Sequence, residues 1–201
     1  VNIPSKHIEN AVEQLSSLPG IGKRTALRLV LQLLNRSEDE IEQFSRSFIE
    51  MKQNTKMCSS CGNISDNEVC SICSDERRDH SIICVVEDIR DILAIEATES
   101  YKGIYHVLGG IISPMDGIGP ADLNISSLVE KASTGIVTEI IFALSPTMEG
   151  DTTNFYLYKK LNGQPIIITT LSRGVAIGTE LQYADEMTLS RSLIKRQLFQ
   201  L

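Results

Sequence analysis

The residues with the clearest chemical capacity are four cysteines between positions 57 and 74, set as two Cys-x-x-Cys pairs, Cys58/Cys61 and Cys70/Cys73. Two residues between thiolates let one tight turn aim both sulfurs at a common point. Two such turns make a tetrahedral four-sulfur cage suited to Zn²⁺. The stretch between the pairs is polar apart from Ile64 and Val69. It has no apolar core to offset the entropy of ordering, so a metal would serve as that core. Gly62, directly after Cys61, suits a knuckle turn with positive φ. Four cysteine ligands leave no open coordination position, and the expected role of one Zn²⁺ per chain is architecture rather than catalysis. Disulfides or a redox dithiol are the competing chemistry. The sequence shows no secretory leader and otherwise looks cytosolic, which favours metal. The fifth cysteine, Cys84, stands in the apolar run 82–86 and reads as an inert core residue.

A second group could hold phosphate. Leu18-Pro19-Gly20-Ile21-Gly22-Lys23-Arg24 lies between two short amphipathic segments, the pattern of a helix–hairpin–helix. Gly20 and Gly22 would let the hairpin backbone approach a phosphate without a Cβ in the way. Free N–H groups at the start of the next helix would attract the anion, with Lys23, Arg24 and Arg28 as counter-charge. Such contacts ignore base sequence. The plainer alternative is a tight turn packing two helices, with the basic side chains simply solvated; a hairpin of this kind also serves in subunit contacts.

The third group is acidic. Glu87 ends one predicted strand, and Ser145-Pro146-Thr147-Met148-Glu149-Gly150-Asp151 follows another. Open parallel sheets place their sites at the C-terminal ends of strands, so Glu87, Glu149 and Asp151 are expected at one edge, where they could hold Mg²⁺. Acids are also common as helix-start residues, and Asp88 and Asp151 read equally well that way.

The elements that must position these groups follow from periodicity. Ile8, Ala11, Val12 and Leu15 share one face of a first helix. Leu27, Val30, Leu31 and Leu34 form the expected buried stripe of a second. Ser37 and Glu40 make a capping box for a third, expected to bury Ile41, Phe44, Phe48 and Met51. Beyond a polar joint at 75–79 the pattern alternates: strand 82–86, helix 88–97, strand 104–108, helix 125–132, strand 137–144, helix 152–161, strand 166–170. Continuous apolar strands between helices predict a parallel sheet covered on both faces. The loop 109–120 is long and rich in Gly and Pro, as functional loops often are.

The chain of 201 residues carries a net charge of −7, which argues against a surface that binds nucleic acid everywhere. Basic and acidic residues nearly balance over 1–56, whereas the remainder is acidic, so an anionic partner belongs at the N-terminal part. No apolar run is long enough to span a bilayer, and a cytoplasmic location is expected.

Taken together, LPGIGKR, the four-cysteine module, ICVVED, SPMDGIGP and SPTMEGD closely resemble the bacterial RecR family of recombination mediators over essentially the full chain. The resemblance implies a multidomain α+β protein: a helix–hairpin–helix region at 1–56, a four-cysteine zinc finger at 57–76, a Toprim domain with a central parallel sheet at 80–175, and a short C-terminal extension at 176–201. It further implies a ring-like homotetramer that clamps DNA and acts with RecO, and in some systems RecF, to load recombinase on single-stranded DNA. Cys58, Cys61, Cys70 and Cys73 match the family's zinc ligands, Lys23 and Arg24 its basic hairpin, and Glu87 the Toprim glutamate. Catalytic Toprim enzymes carry an Asp-x-Asp pair where this chain has Ser145 and Thr147. A non-enzymatic repair protein is therefore the expectation, against the alternative of a metal-dependent nuclease or primase. The acidic edge, with residues 113–120, is then expected to dock a basic partner.

Overall fold

The computed structural model describes residues 3–196 and 198 and divides the chain into two units, Val1–Thr55 and Lys56–Leu201. The first unit holds helices α1 (Lys6–Ser16), α2 (Lys23–Leu34) and α3 (Glu38–Asn54). Ser5 caps α1, and Val12 on its inner face packs with Ala26 and Val30 of α2, edged by Ile8, Ala11, Leu15 and Leu27. The capping box of α3 forms as expected, with Glu40 N–H donating to Ser37 Oγ and Ser37 N–H to Glu40 Oε2 at 2.9 Å.

Two expectations fail here. On α2 the buried residues are Ala26 and Val30, with Leu27 half-buried, while Leu31 and Leu34 are exposed. Cover reaches the side of α2 that carries Ala26 and Val30 and leaves Leu31 and Leu34 outside it. α3 buries none of its residues: Ile41 is half-buried, and Phe44, Phe48 and Met51 are exposed. Its apolar face is real, with the Phe44 and Phe48 rings edge-to-face at 5.0 Å, but a three-helix unit this small has no further layer to set against it.

The second unit opens with a short antiparallel pair, β1 (Lys56–Met57) and β2 (Ile64–Ser65). A four-stranded sheet follows: β3 (Asp79–Val86), β4 (Gly103–Val107), β5 (Glu139–Phe142) and β6 (Ile167–Thr170), all parallel, in the order β4-β3-β5-β6. Helices α4 (Ile89–Glu96), α5 (Ile125–Ala132) and α6 (Met148–Leu161) connect them, and α7 (Glu186–Ile194) is the last described helix. Successive residues of a strand face opposite sides. Ile83 and Val85 accordingly join Ile140, Phe142, Leu128 and Leu157 in one core, and Cys84 and Val86 join Ile92, Tyr105 and Val107 in the other. Cys84 is the core residue the sequence indicates, its thiol pushed up to about 12 by burial.

Some boundaries differ from the sequence reading. β5 is shorter than the apolar run 137–144, whose ends are buried outside the ladder. α6 begins at Met148 rather than 152, because Thr147 Oγ1 accepts the Gly150 N–H at 3.1 Å and caps it. The loop 109–120 is pinned: Ser113 and Ile118 bridge, and the buried Ile112 N–H donates to Thr153 Oγ1 at 2.9 Å. The chain leaves β3 for β4 on one side and then crosses to β5 on the other. The gap beyond the C-terminal ends of β3 and β5 is thus the topological switch point of the sheet.

The polar joint has a structural duty. Arg78, largely buried, grips the Glu96 carboxylate with both guanidinium arms and donates to the Gly103 carbonyl at 3.1 Å, while Tyr105 Oη donates to Glu96 at 2.6 Å. The Arg78 hydrogen bonds hold the Glu96 carboxyl below its ordinary value of 4.5. A folded-state pKa lowered in this way stabilises the fold fully above the ordinary value and less as acid protonates the group. Glu96→Gln is expected to lower stability by about 2 kcal/mol at neutral pH, and this difference should shrink in denaturant titrations run below pH 4.5.

Candidate metal centre and nucleic-acid interface

The sulfurs of Cys58, Cys61, Cys70 and Cys73 all lie within 4.8 Å of one another, and all are free of disulfides. Cys61 and Cys70 Sγ are 3.6 Å apart, close to the roughly 3.8 Å edge of a tetrahedron with Zn–S bonds of about 2.3 Å. The turns that converge them are backbone-built. Cys58 N–H donates to Asn63 O at 2.7 Å, Gly62 N–H to Cys58 O at 2.9 Å, and Ser74 N–H to Cys70 O at 3.0 Å. Gly62 has φ of 76°, the left-handed conformation its position requires. Backbone N–H groups also point at sulfur, Cys70 to Cys58 Sγ at 3.2 Å and Asn63 to Cys61 Sγ at 3.4 Å. Burial works against the Cys58 thiolate, yet the N–H groups of Cys70, Cys61 and Ser60 outweigh it and bring its pKa down. The hydrogen bond between Cys61 and Cys73 favours the Cys73 thiolate and raises the Cys61 thiol. Soft sulfur donors in this closed arrangement fit one structural Zn²⁺. Val107 N–H donates to Cys61 O at 2.8 Å, tying the module to β4.

At the hairpin, Ile21 N–H donates to Leu18 O at 3.1 Å and Gly20 takes φ of 80°. No neighbouring atom lies within 4 Å of where a Cβ would sit on Gly20 or Gly22, so this backbone faces open space. Gly22 is the N-cap of α2 and offers no side-chain acceptor, unlike Ser5, Ser37, Asp88, Thr147 and Asp185 at other helix starts. Lys23, Arg24 and Arg28 are exposed, and none takes part in an ion pair among the described residues. Arg24 and Arg28 are one turn apart on the same face. Glu9 and Glu13 share a recess of about 160 Å³ with Lys23 and Arg24, which softens the positive potential there and was not foreseen from the sequence.

The three carboxylates have different surroundings. Glu87 is half-buried beyond β3 and accepts the Ser145 hydroxyl at 3.2 Å, which links the two sides of the switch point. Glu149 is exposed on the first turn of α6. Asp151 instead receives both arms of Arg173, at 2.6 and 3.0 Å, and lies 3.6 Å from Arg191. The cysteine cage is the only cluster of three or more candidate ligands among the described residues. Two arginines from the C-terminal part, Arg173 and Arg191, pair with Asp151, and nothing in its local sequence announced them. Ser145 and Thr147 have other employment, hydrogen bonding Glu87 and capping α6. Gly150 is obligatory, since a Cβ there would fall 1.9 Å from the Ser145 carbonyl oxygen.

A parallel sheet with an acidic switch point, preceded by a four-cysteine finger and a hairpin of helices, defines a Toprim-domain protein with two small N-terminal modules. Family models match the chain in four segments: residues 8–51 match the RecR helix-hairpin-helix, 55–75 the RecR four-cysteine zinc finger domain, 81–172 the Toprim domain and 174–197 the RecR C-terminal region. Similar proteins named Recombination protein RecR include that of Flavobacterium johnsoniae, 59% identical over 98% of this chain and 95% of its own length. That of Bacteroides thetaiotaomicron is 55% identical over 98% and 96%, and that of Cytophaga hutchinsonii 53% identical over 100% and 98%. The chain belongs to the RecR family of recombination proteins. No helix among the described residues is long and apolar enough to cross a membrane.

Metal analysis of protein purified without added zinc is expected to give about one Zn²⁺ per chain. Cys58→Ser should lose both the metal and the folded finger, because structural zinc contributes on the order of 10 kcal/mol in small modules. A folded, zinc-free protein containing two disulfides would refute the assignment.

Proposed function

We propose that this protein is a cytoplasmic, non-catalytic DNA clamp of recombinational repair: a homotetrameric ring that holds DNA through its hairpins and, with RecO and RecF, helps load recombinase on single-stranded DNA. The observation that carries the DNA reading is the uncapped start of α2. Its free N–H groups, open Gly20 and Gly22 backbone, and exposed Lys23, Arg24 and Arg28 form an anion cradle facing solvent. Subunit association is supported by the uncovered apolar face of α3, where Phe44, Phe48, Ile49 and Met51 are all exposed. Several modest sites around one DNA would compensate for the acidic character of each chain.

Lack of chemistry is supported by Ser145 and Thr147, which stand neutral where catalytic relatives place carboxylates, and by the ion pairs that occupy Asp151. Phosphoryl transfer needs a metal clamp on the attacking and leaving oxygens, or a metal with a covalent nucleophile. Glu87 and Glu149 at the switch point then serve better to dock a basic partner such as RecO.

Titration of wild type and a Lys23→Ala/Arg24→Ala double variant against DNA at several salt concentrations tests the clamp. Affinity should fall in the variant, and the salt slope should decrease by roughly one to two units. An unchanged titration would move the site elsewhere, and solution mass with and without DNA reports the assembly. Incubation of purified protein with Mg²⁺ or Mn²⁺ and supercoiled, linear and single-stranded DNA should give no cleavage, relaxation or priming. Activity that disappears in Glu87→Ala would identify an enzyme instead. Glu87→Ala and Glu149→Ala should weaken binding to RecO while leaving zinc content unchanged.

A further inference from the structure

After β6 the chain continues as an arm, residues 174–196, that ends in α7. No residue of the arm belongs to either core of the unit. α7 buries none of its nine residues, and Met187, Leu193 and Ile194 on it are exposed. A helix of that length is marginal by itself, so its attachment matters to whether it stays folded. The hydrogen bonds of α7 are local: Thr188 N–H donates to Asp185 Oδ1 at 2.8 Å, and Ser192 Oγ to the Thr188 carbonyl at 2.8 Å. Among the described residues one polar contact ties α7 to the body of the unit. Arg191 Nη2 lies 3.6 Å from Asp151 Oδ2, on the first turn of α6.

Two guanidiniums share the Asp151 carboxylate, but unequally. Arg173, at the root of the arm, donates through both arms, at 2.6 and 3.0 Å, and its side chain is 23% exposed. Arg191 makes a single longer contact with a side chain 40% exposed. Bidentate pairs are the strong kind, whereas single exposed pairs contribute little. The root of the arm is therefore fixed and its α7 end is the part that can release. Between the two lies a recess of about 430 Å³, lined by Arg173, Met187, Thr188 and Arg191 and by Pro146 of the loop after β5. α7 thus stands over the Pro146 side of the switch point without packing tightly on it.

We propose that α7 is an electrostatic strap over this side of the switch point, latched by Arg191 on Asp151 and rooted at Arg173. Closed, it commits Asp151 to two arginines; open, it uncovers Pro146 and returns part of the Asp151 charge to the edge that also carries Glu149. By linkage, a cation that binds Asp151 in place of Arg191 opens the strap. Hydrogen–deuterium exchange of the full-length protein tests this in wild type, Arg191→Gln, Arg191→Lys and Asp151→Asn. Each is measured at about 0.1 M and about 1 M sodium chloride, between which the screening length shrinks from about 10 Å to about 3 Å. Arg, Lys and Gln have nearly equal helix propensity, and Asp151 lies on another helix, so none of these changes acts on α7 by itself. At low salt the α7 amides should exchange roughly three- to fivefold faster in Arg191→Gln and Asp151→Asn, the scale of an exposed ion pair. Arg191→Lys should stay near wild type, and the β3 and β5 amides should not change. High salt should bring wild type to the level of Arg191→Gln and leave that variant unaltered. Wild-type exchange of α7 in Arg191→Gln at low salt overturns the proposal, as does a wild-type α7 indifferent to salt. So does acceleration in Arg191→Gln that is absent from Asp151→Asn, since the carboxylate would then not be the latch.

Discussion

Drawing four sulfurs within 4.8 Å of each other is unfavourable for thiolates unless a cation neutralises them, and residues 57–74 have almost nothing else to fold around. This constraint governs the N-terminal half of the second unit. Cys61 lies at its crossing point: its sulfur belongs to the cage and its carbonyl accepts from Val107 of β4. One residue therefore belongs to both the metal module and the sheet. Gly62 follows immediately because only a residue without Cβ turns there with positive φ while Asn124 and Val107 close in.

The sheet imposes the other constraint. Its order β4-β3-β5-β6 puts β3 and β5 at the centre and creates the switch point between them. Here Ser145 closes it by donating to Glu87, Thr147 spends its hydroxyl on the α6 N-terminus, and Arg173 and Arg191 hold Asp151. Of the three carboxylates Glu87, Glu149 and Asp151, Asp151 is the one held in ion pairs. The hairpin works by the opposite device. Gly22 withholds the side-chain cap that most other helix starts possess, and the N–H groups of α2 remain available to an external anion.

The sequence alone determined the local features: the zinc ligands through Cys-x-x-Cys spacing, the α3 capping box through Ser37 and Glu40, the α4 and α5 segments through period, and the alternation that implies a covered parallel sheet. Each depends on neighbours within a few residues, where periodicity and stereochemistry are strong. Only the tertiary structure decided which apolar faces find cover and which charges find partners. The stripe of Leu31 and Leu34 on α2, and of Phe44, Phe48 and Met51 on α3, is written in the sequence as burial, yet no layer of the same unit reaches it. The carboxylates Glu87, Glu149 and Asp151 follow strands β3 and β5 in the chain, but Asp151 turns to arginines 22 and 40 positions later (Arg173 and Arg191). Lys131 Nζ and His106 Nδ1, 3.3 Å apart in the structure and 25 residues apart in the chain, carry no motif at all. Pairings of this kind arise from how strands and helices stack in space, and period and spacing carry no information about charges brought together across such distances.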